Sequence, residues 1–239
     1  MFQTFLVEPL YNSFIYLISI SPGGSVAIAI IVLTLIIRII FYPAFTASIR
    51  TQMGMQAAQG EIEEINKKYK DNPTEKAKAT MALYKEKKIS PFASILAIAV
   101  QIPIFIALYI AFFREGLPKV DSALLYSFVH VPSQINLTFL GIDLLSTHNI
   151  LVAVAVGALQ YMVIHFSLSR TPVPASLSEE KHLAQKMQQR LMLYFLPAFI
   201  VFISFSLPAA VGFYFATGNV VSLIQELLIR RQMSKKTST

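Results

Sequence analysis

The chain has 239 residues, a formal net charge of +7, 55% hydrophobic residues, 14% charged residues and a mean hydropathy of +0.59. Soluble domains carry about 25% charged residues, so this composition belongs in a lipid bilayer. There are no cysteines, which excludes disulfides, thiolate metal sites, a cysteine nucleophile and a lipid-anchored N-terminal cysteine.

Residues 2–20 are apolar, with Glu8 their only charge, but lack the basic start of a secretory signal, so no cleavable targeting segment is expected in the N-terminal segment 1–24. Pro9 and the Ser21-Pro22-Gly23-Gly24 break make this a short segment expected to lie at the membrane interface. A first transmembrane helix is expected over 25–49. Its apolar run from Val26 to Phe45 is about long enough to cross a bilayer. Arg38 interrupts that run, and an intramembrane arginine costs about 2.5–3.5 kcal/mol on insertion scales. Such residues usually face a polar interior. Thr34, Arg38 and Tyr42 recur every fourth residue and so share a helix face. Snorkelling of the long side chain to the headgroups is the alternative.

Composition changes abruptly after this run. Residues 50–90 hold nine basic and six acidic residues, in two helical patterns flanking Asp71-Asn72-Pro73-Thr74. Asn72 is placed to cap the second helix, with Pro73 at its first position and Glu75 completing a capping box. This predicts an antiparallel helical hairpin outside the membrane, mobile because each apolar stripe is thin. Its charges fit a solvated face as well as a binding surface.

Residues 91–229 read as the remaining four spans. Residues 92–113 carry no charge and include Gln101-Ile102-Pro103; Pro103 is expected to kink the helix and free a carbonyl. The loop 114–149 has apolar patches that suggest short interfacial helices. Residues 150–168 form the next span, with Gln160 and a His165 that reads as structural. A basic loop covers 170–190. The stretch from Leu191 to Gln225 then has no Asp, Glu, Lys or Arg. It is long enough for two spans when extended to Ile229, with Ser206-Leu207-Pro208-Ala209 between them. Pro197 is a second expected kink. Placing 50–90, 170–190 and the basic tail 230–239 inside puts 17 of the 20 basic residues there. The expectation is therefore an all-α integral membrane protein of five transmembrane helices, N-terminus out and C-terminus in.

Four stretches together resemble the YidC/Oxa-type membrane protein insertases, over about residues 8–231. LTLIIRIIFYP is similar to that family's arginine five residues before a proline, here Arg38 and Pro43. LYKEKKISP, Leu83 to Pro91, resembles its LYK…NP element, with Ser90 where Asn is common. QIPIFIALY, Gln101 to Tyr109, matches its second-span signature almost letter for letter. PAAVGFYFATGNVVSLIQ carries Pro208, Gly212, Tyr214, Asn219 and Gln225 at the family's spacing, with Phe215 where Trp is frequent. Ala97 replaces another common proline. Neither the large extracytoplasmic domain of some members nor the long ribosome-binding tail of mitochondrial ones is expected from this sequence.

The resemblance implies five helices around a hydrophilic groove that is open to cytoplasm and lipid and closed to the outside. Arg38 would sit in it, with Thr34, Gln101, Gln160, Asn219, Ser222, Tyr214 and Phe215 as further substrate-contacting residues, and Pro43, Pro103, Pro197 and Pro208 as structural kinks. It implies nascent membrane proteins as substrates in the bacterial plasma membrane, with the lipid bilayer as a partner. The Sec translocon and ribosome are candidate partners, and no specific DNA binding is implied. No cofactor, metal or enzymatic activity is expected. A Gly-rich phosphate loop and a Walker lysine are both missing. A small transporter for an anionic solute is the main rival, but no inverted repeat is visible. A membrane hydrolase would need paired acids or a His set, whereas the spans offer only isolated His165 and Glu226.

Overall fold

The computed structural model describes residues 3–90, 117–169 and 189–237, with Phe92, Ala99, Pro103, Ile106, Leu183, Lys186 and Met187 placed singly between them. Gln101 and the loop 170–182 fall outside the described residues, as does most of the expected span 92–113.

A π-helical turn, Gln3–Val7, leads into α1, Glu8–Ile20. This segment does more than lie on a surface. Tyr11, Phe14, Ile15 and Ile18 recur at three- and four-residue spacing and are buried in the main apolar core. Only the opposite face, with Phe5, Tyr16 and Ile20, is exposed. The chain then turns through Pro22–Gly24 and enters α2, Val26–Ile40, capped by Ser25 Oγ, which accepts from the Ile28 amide at 3.4 Å. Ala29, Ile30, Leu33 and Ile37 join α1 in the same core.

The stretch from Val26 to Phe45 is not one straight helix. It breaks at Phe41, and α3, Tyr42–Ala57, leaves at 72° to α2. Pro43 stands in the first turn of α3. Its ring has no N–H to donate and collides with the carbonyl four residues back, so it starts a helix well and continues one badly. The expected boundary between residues 49 and 50 therefore falls inside α3. Tyr42 belongs to the new helix and does not share the face of Thr34 and Arg38.

α4, Gln59–Lys68, and α5, Pro73–Glu86, pack against each other across a short connection. Asn72 Oδ1 accepts from the Glu75 amide at 3.1 Å as the cap. The expected capping box is only half made, because Glu75 Oε1 takes the Lys78 ammonium at 2.9 Å. Lys87 Nζ meets Glu61 Oε1 at 2.8 Å. That hydrogen bond raises the lysine's pKa above its ordinary value. The foot of the pair is docked: Ala58, Leu83 and Ile89 form a small buried cluster, and Thr51 Oγ1 donates to the Ser90 carbonyl at 3.1 Å.

Residues 117–149 hold one 3-10 turn, Ser122–Leu124, and a two-stranded antiparallel ladder. Its strands are β1, Thr138–Phe139, and β2, Ile142–Asp143. The interfacial helices expected here are not what the described residues form. Leu124-Leu125-Tyr126 instead packs against the core next to α1. The Asn12 side chain fixes it from both sides: Nδ2 donates to the Leu124 carbonyl at 2.9 Å and Oδ1 accepts from the Tyr126 amide at 2.7 Å. Further along, the Asn136 amide donates to the Gly24 carbonyl and the Val26 amide to the Asn136 carbonyl, at 2.9 and 3.0 Å. Gly24 has φ +65°, and a Cβ there would overlap the Gln134 carbonyl, so both conformation and space require glycine.

α6, Ile150–Ser169, α7, Leu196–Ser206, and α8, Ala209–Thr237, complete the bundle. α6 packs along both α7 and α8, and α8 also packs on α2. Gly157 lets α6 approach α7 so closely that any Cβ would overlap a Val201 methyl. Pro197 is buried in the first turn of α7, directly after a π-helical turn, Leu191–Phe195. The missing proline N–H is accommodated where the helix is already widened to i→i+5 spacing. The break at Leu207-Pro208 is tied to the 117–149 segment by three amides. His148 donates to the Phe205 carbonyl at 2.8 Å, and Ala209 and Ala210 donate to those of Ser146 and Leu144 at 2.9 Å. Among the described residues, α6 over Ile150–Leu168 and α8 over Ala209–Gln232 are each long and apolar enough to cross a membrane. The bent pair α2–α3 makes a third if counted as one span.

Candidate functional site

A cavity of about 750 Å³ lies between α2, α3, α6, the start of α7 and α8. Helical spacing dictates its walls. From α3 come Phe45, Ser48, Gln52 and Gln56, on one face. α6 contributes Gln160, Ile164 and Ser167 at four- and three-residue steps. α8 contributes Ser222 and Glu226, one turn apart, and Arg38 projects from α2. Val163, Leu168, Met192 and Leu196 make the rest of the wall largely apolar.

Arg38 is held by a backbone carbonyl and an aromatic ring. Its Nη2 donates to the Gly218 carbonyl at 3.2 Å, and its guanidinium carbon sits 4.2 Å from the Phe45 ring centroid. Among the described residues, no carboxylate lies within salt-bridge distance of it. The cation is thus oriented by a dipole and a ring face.

Glu226 is the cavity's acidic group, and it is satisfied. Its Oε1 accepts from Arg230 Nη2 at 2.6 Å and Nε at 2.9 Å. Arg230 also donates to the Ser167 carbonyl at 3.4 Å and lies over the Phe166 ring. The pair joins α8 to the end of α6. Higher up, Gln225 Nε2 donates to Thr46 Oγ1 at 3.2 Å in a buried contact that ties α8 to α3.

The site residues expected from sequence divide clearly. Arg38, Gln160 and Ser222 meet at the cavity. Thr34 is buried, and its hydroxyl donates to the Ile30 carbonyl of its own helix at 2.7 Å, so it lies off the cavity wall. Tyr214 and Phe215 pack into the apolar core about two turns before Ser222, also off the wall. Asn219 is off the wall too, and its buried Nδ2 has no hydrogen-bond partner among the described residues. Gln101 lies outside the described residues; Pro103, two positions on, is helical and buried. Ser48, Gln52, Gln56, Ser167 and Glu226 were not expected. The four-residue repeat Ser48, Gln52, Gln56 was a readable signal, hidden by ending the first span at residue 49. No group of three His, Cys, Asp or Glu side chains suited to a metal ion occurs among the described residues.

The sequence profile of the 60Kd inner membrane protein family matches residues 18–236. The chain belongs to that family. This member of the 60Kd inner membrane protein family is therefore a helical membrane protein, in keeping with its apolar helices. It is 31% identical to a Clostridium tetani protein named membrane protein insertase YidC, over 95% of this chain and 91% of the relative. A protein of the same name from Oceanobacillus iheyensis is 31% identical over 87% of this chain and 76% of its own length. Membrane protein insertase YidC 1 of Listeria monocytogenes is 29% identical, over 90% and 67%.

Proposed function

We propose that this protein is a membrane protein insertase of the bacterial plasma membrane, acting on nascent membrane proteins without nucleotide hydrolysis. In this reading the chain crosses the bilayer five times, N-terminus out and C-terminus in. The paired helices α4 and α5 form a cytoplasmic hairpin. The names of the relatives support the activity, and one observation carries the mechanism. Arg38, with no carboxylate partner among the described residues, lies on the wall of a cavity of about 750 Å³ between the helices.

A polar tail crossing a bilayer must lose its water, which is costly for each group left unpaired. A cavity partway through shortens the hydrocarbon path. Gln160 and Ser222 offer hydrogen bonds along it, and Asn219 and Gln101 are proposed to extend them. Arg38 attracts acidic groups of the tail where low dielectric leaves charge weakly screened. The substrate's apolar segment then enters lipid beside α6 and α8, and hydrophobic transfer supplies the driving force.

The test is reconstitution into liposomes with single-span substrates whose tails carry graded numbers of acidic residues. Arg38→Ala should lose insertion of acid-rich tails and retain that of neutral ones, and Arg38→Lys should keep much of the wild-type activity because it keeps the charge. Equal activity of wild type and Arg38→Ala on every substrate would remove the recruitment role. Failure of Arg38→Lys alongside Arg38→Ala would point to a fixed bidentate site.

A further inference from the structure

The turn joining β1 to β2 departs from expected turn chemistry at its first central residue. Both central residues have positive φ, +51° at Leu140 and +77° at Gly141. That is the geometry of a type I′ hairpin turn, for which Asn-Gly and Asp-Gly are preferred. Here the first position is a leucine, a residue poorly suited to left-handed backbone. Its side chain is also 83% exposed, so packing within the protein does not offset the strain.

The ladder beneath the turn sits at a defined height. Phe139 packs edge-on against Phe213 with ring centroids 5.3 Å apart. Phe213 is four residues into α8, about 6 Å along the helix. Ile142 packs against the cluster of Val152, Val156 and Ala209, within the first two turns of α6 and at the start of α8. Both helices are membrane-spanning candidates. The first turns of α6 also expose apolar side chains, Leu151 at 74% and Val154 at 53%. The turn therefore lies level with the ends of two membrane-spanning candidates.

Its chemistry suits that level. Residues 138–142, TFLGI, carry no charge. The nearest carboxylate, Asp143, is engaged by the Leu145 amide at 3.0 Å. The Thr138 amide is bound by Asn136 Oδ1 at 2.8 Å. We propose that the Leu140–Gly141 turn inserts into the interfacial layer of the leaflet at which α6 and α8 begin, and anchors segment 117–149 to the membrane surface. The occupant is lipid, since apolar exposure continues from the turn onto Ile150, Leu151 and Val154 at the start of α6.

The chain contains no tryptophan and no cysteine, so introduced probes report without background. Full-length Leu140→Trp is reconstituted into phosphatidylcholine/phosphatidylglycerol vesicles with and without brominated acyl chains. Lys70→Trp, in the connection between α4 and α5, is the water-exposed control. Insertion predicts blue-shifted emission quenched about twofold or more at 140, with the control unquenched. Unquenched, water-like emission from folded Leu140→Trp overturns the proposal. Equal quenching at both positions also overturns it, as does quenching at 140 that needs an added protein. Should Leu140→Trp fail to fold, Leu140→Cys decides. Labelling by a water-soluble maleimide should be about tenfold slower than at Lys70→Cys in vesicles and similar to it in denaturant. Equal rates in vesicles would sink the anchor. None of these readouts depends on insertion activity.

Discussion

The guanidinium carbon of Arg38 lies 4.2 Å from the centroid of the Phe45 ring, although seven residues of straight helix would separate them by about 10 Å along the axis. The 72° break at Phe41 folds α3 back so that the ring covers the cation. A cation over a ring gains about 0.5–2 kcal/mol, more as water is excluded. Phe45→Leu is therefore expected to lower insertion of acid-tailed substrates by about threefold to tenfold, while Phe45→Tyr preserves it. Vesicle insertion assays with matched neutral and acidic tails check this. An equal loss on neutral tails would mean that Phe45 serves packing alone.

The Glu226–Arg230 pair should behave as a buried pair, because its side chains are only 8% and 14% exposed. Removing one member leaves the other charge desolvated, at about 3–5 kcal/mol. Glu226→Gln and Arg230→Gln should each lower the thermal midpoint more than the double substitution does. Thermal unfolding in detergent gives the cycle, and additive effects would contradict the coupling.

Gly157→Ala should force α6 from α7, since the added Cβ overlaps a Val201 methyl. Overpacking of this kind costs about 1–3 kcal/mol. Val201→Ala should recover most of the loss in the double variant, measured as the melting midpoint. No recovery would place the strain elsewhere.

Gly24→Ala combines a positive φ with a collision against the Gln134 carbonyl, and backbone cannot move aside as a side chain can. A loss of about 2 kcal/mol or more is expected. Hydrogen exchange should localise it to the Gly24, Val26 and Asn136 amides. Unchanged protection there would refute the assignment.

Apolar runs and prolines were legible in the sequence because they act locally. The run over 150–168 became α6, and the Asn72 cap and the break near Pro208 fell where local chemistry put them. What sequence could not show depends on three-dimensional direction. Thr34 shares a face with Arg38 on a helical wheel, yet its hydroxyl turns to its own backbone. Tyr42 fell away from that face because Pro43 begins a new helix. Glu226 looked like a terminal charge, and only the packing of α8 on α6 brings it to the cavity. The burial of α1 was hidden for a similar reason: its partners in 117–149 lie more than a hundred residues away.

Those distant partners bear on how the protein itself is made. Asn12 bonds to Leu124 and Tyr126, 112 and 114 residues further along the chain. At about 5–20 residues per second, ribosomal synthesis supplies the first of them roughly 6–22 s after Asn12 is made. Until then Asn12 cannot make its native contacts with the 117–149 segment, and α1 and α2 wait beside each other with that end of the bundle unsealed. The amides of Ala209 and Ala210 close the other side later still. Assembly of this protein thus has a built-in interval during which that end of the bundle stays open.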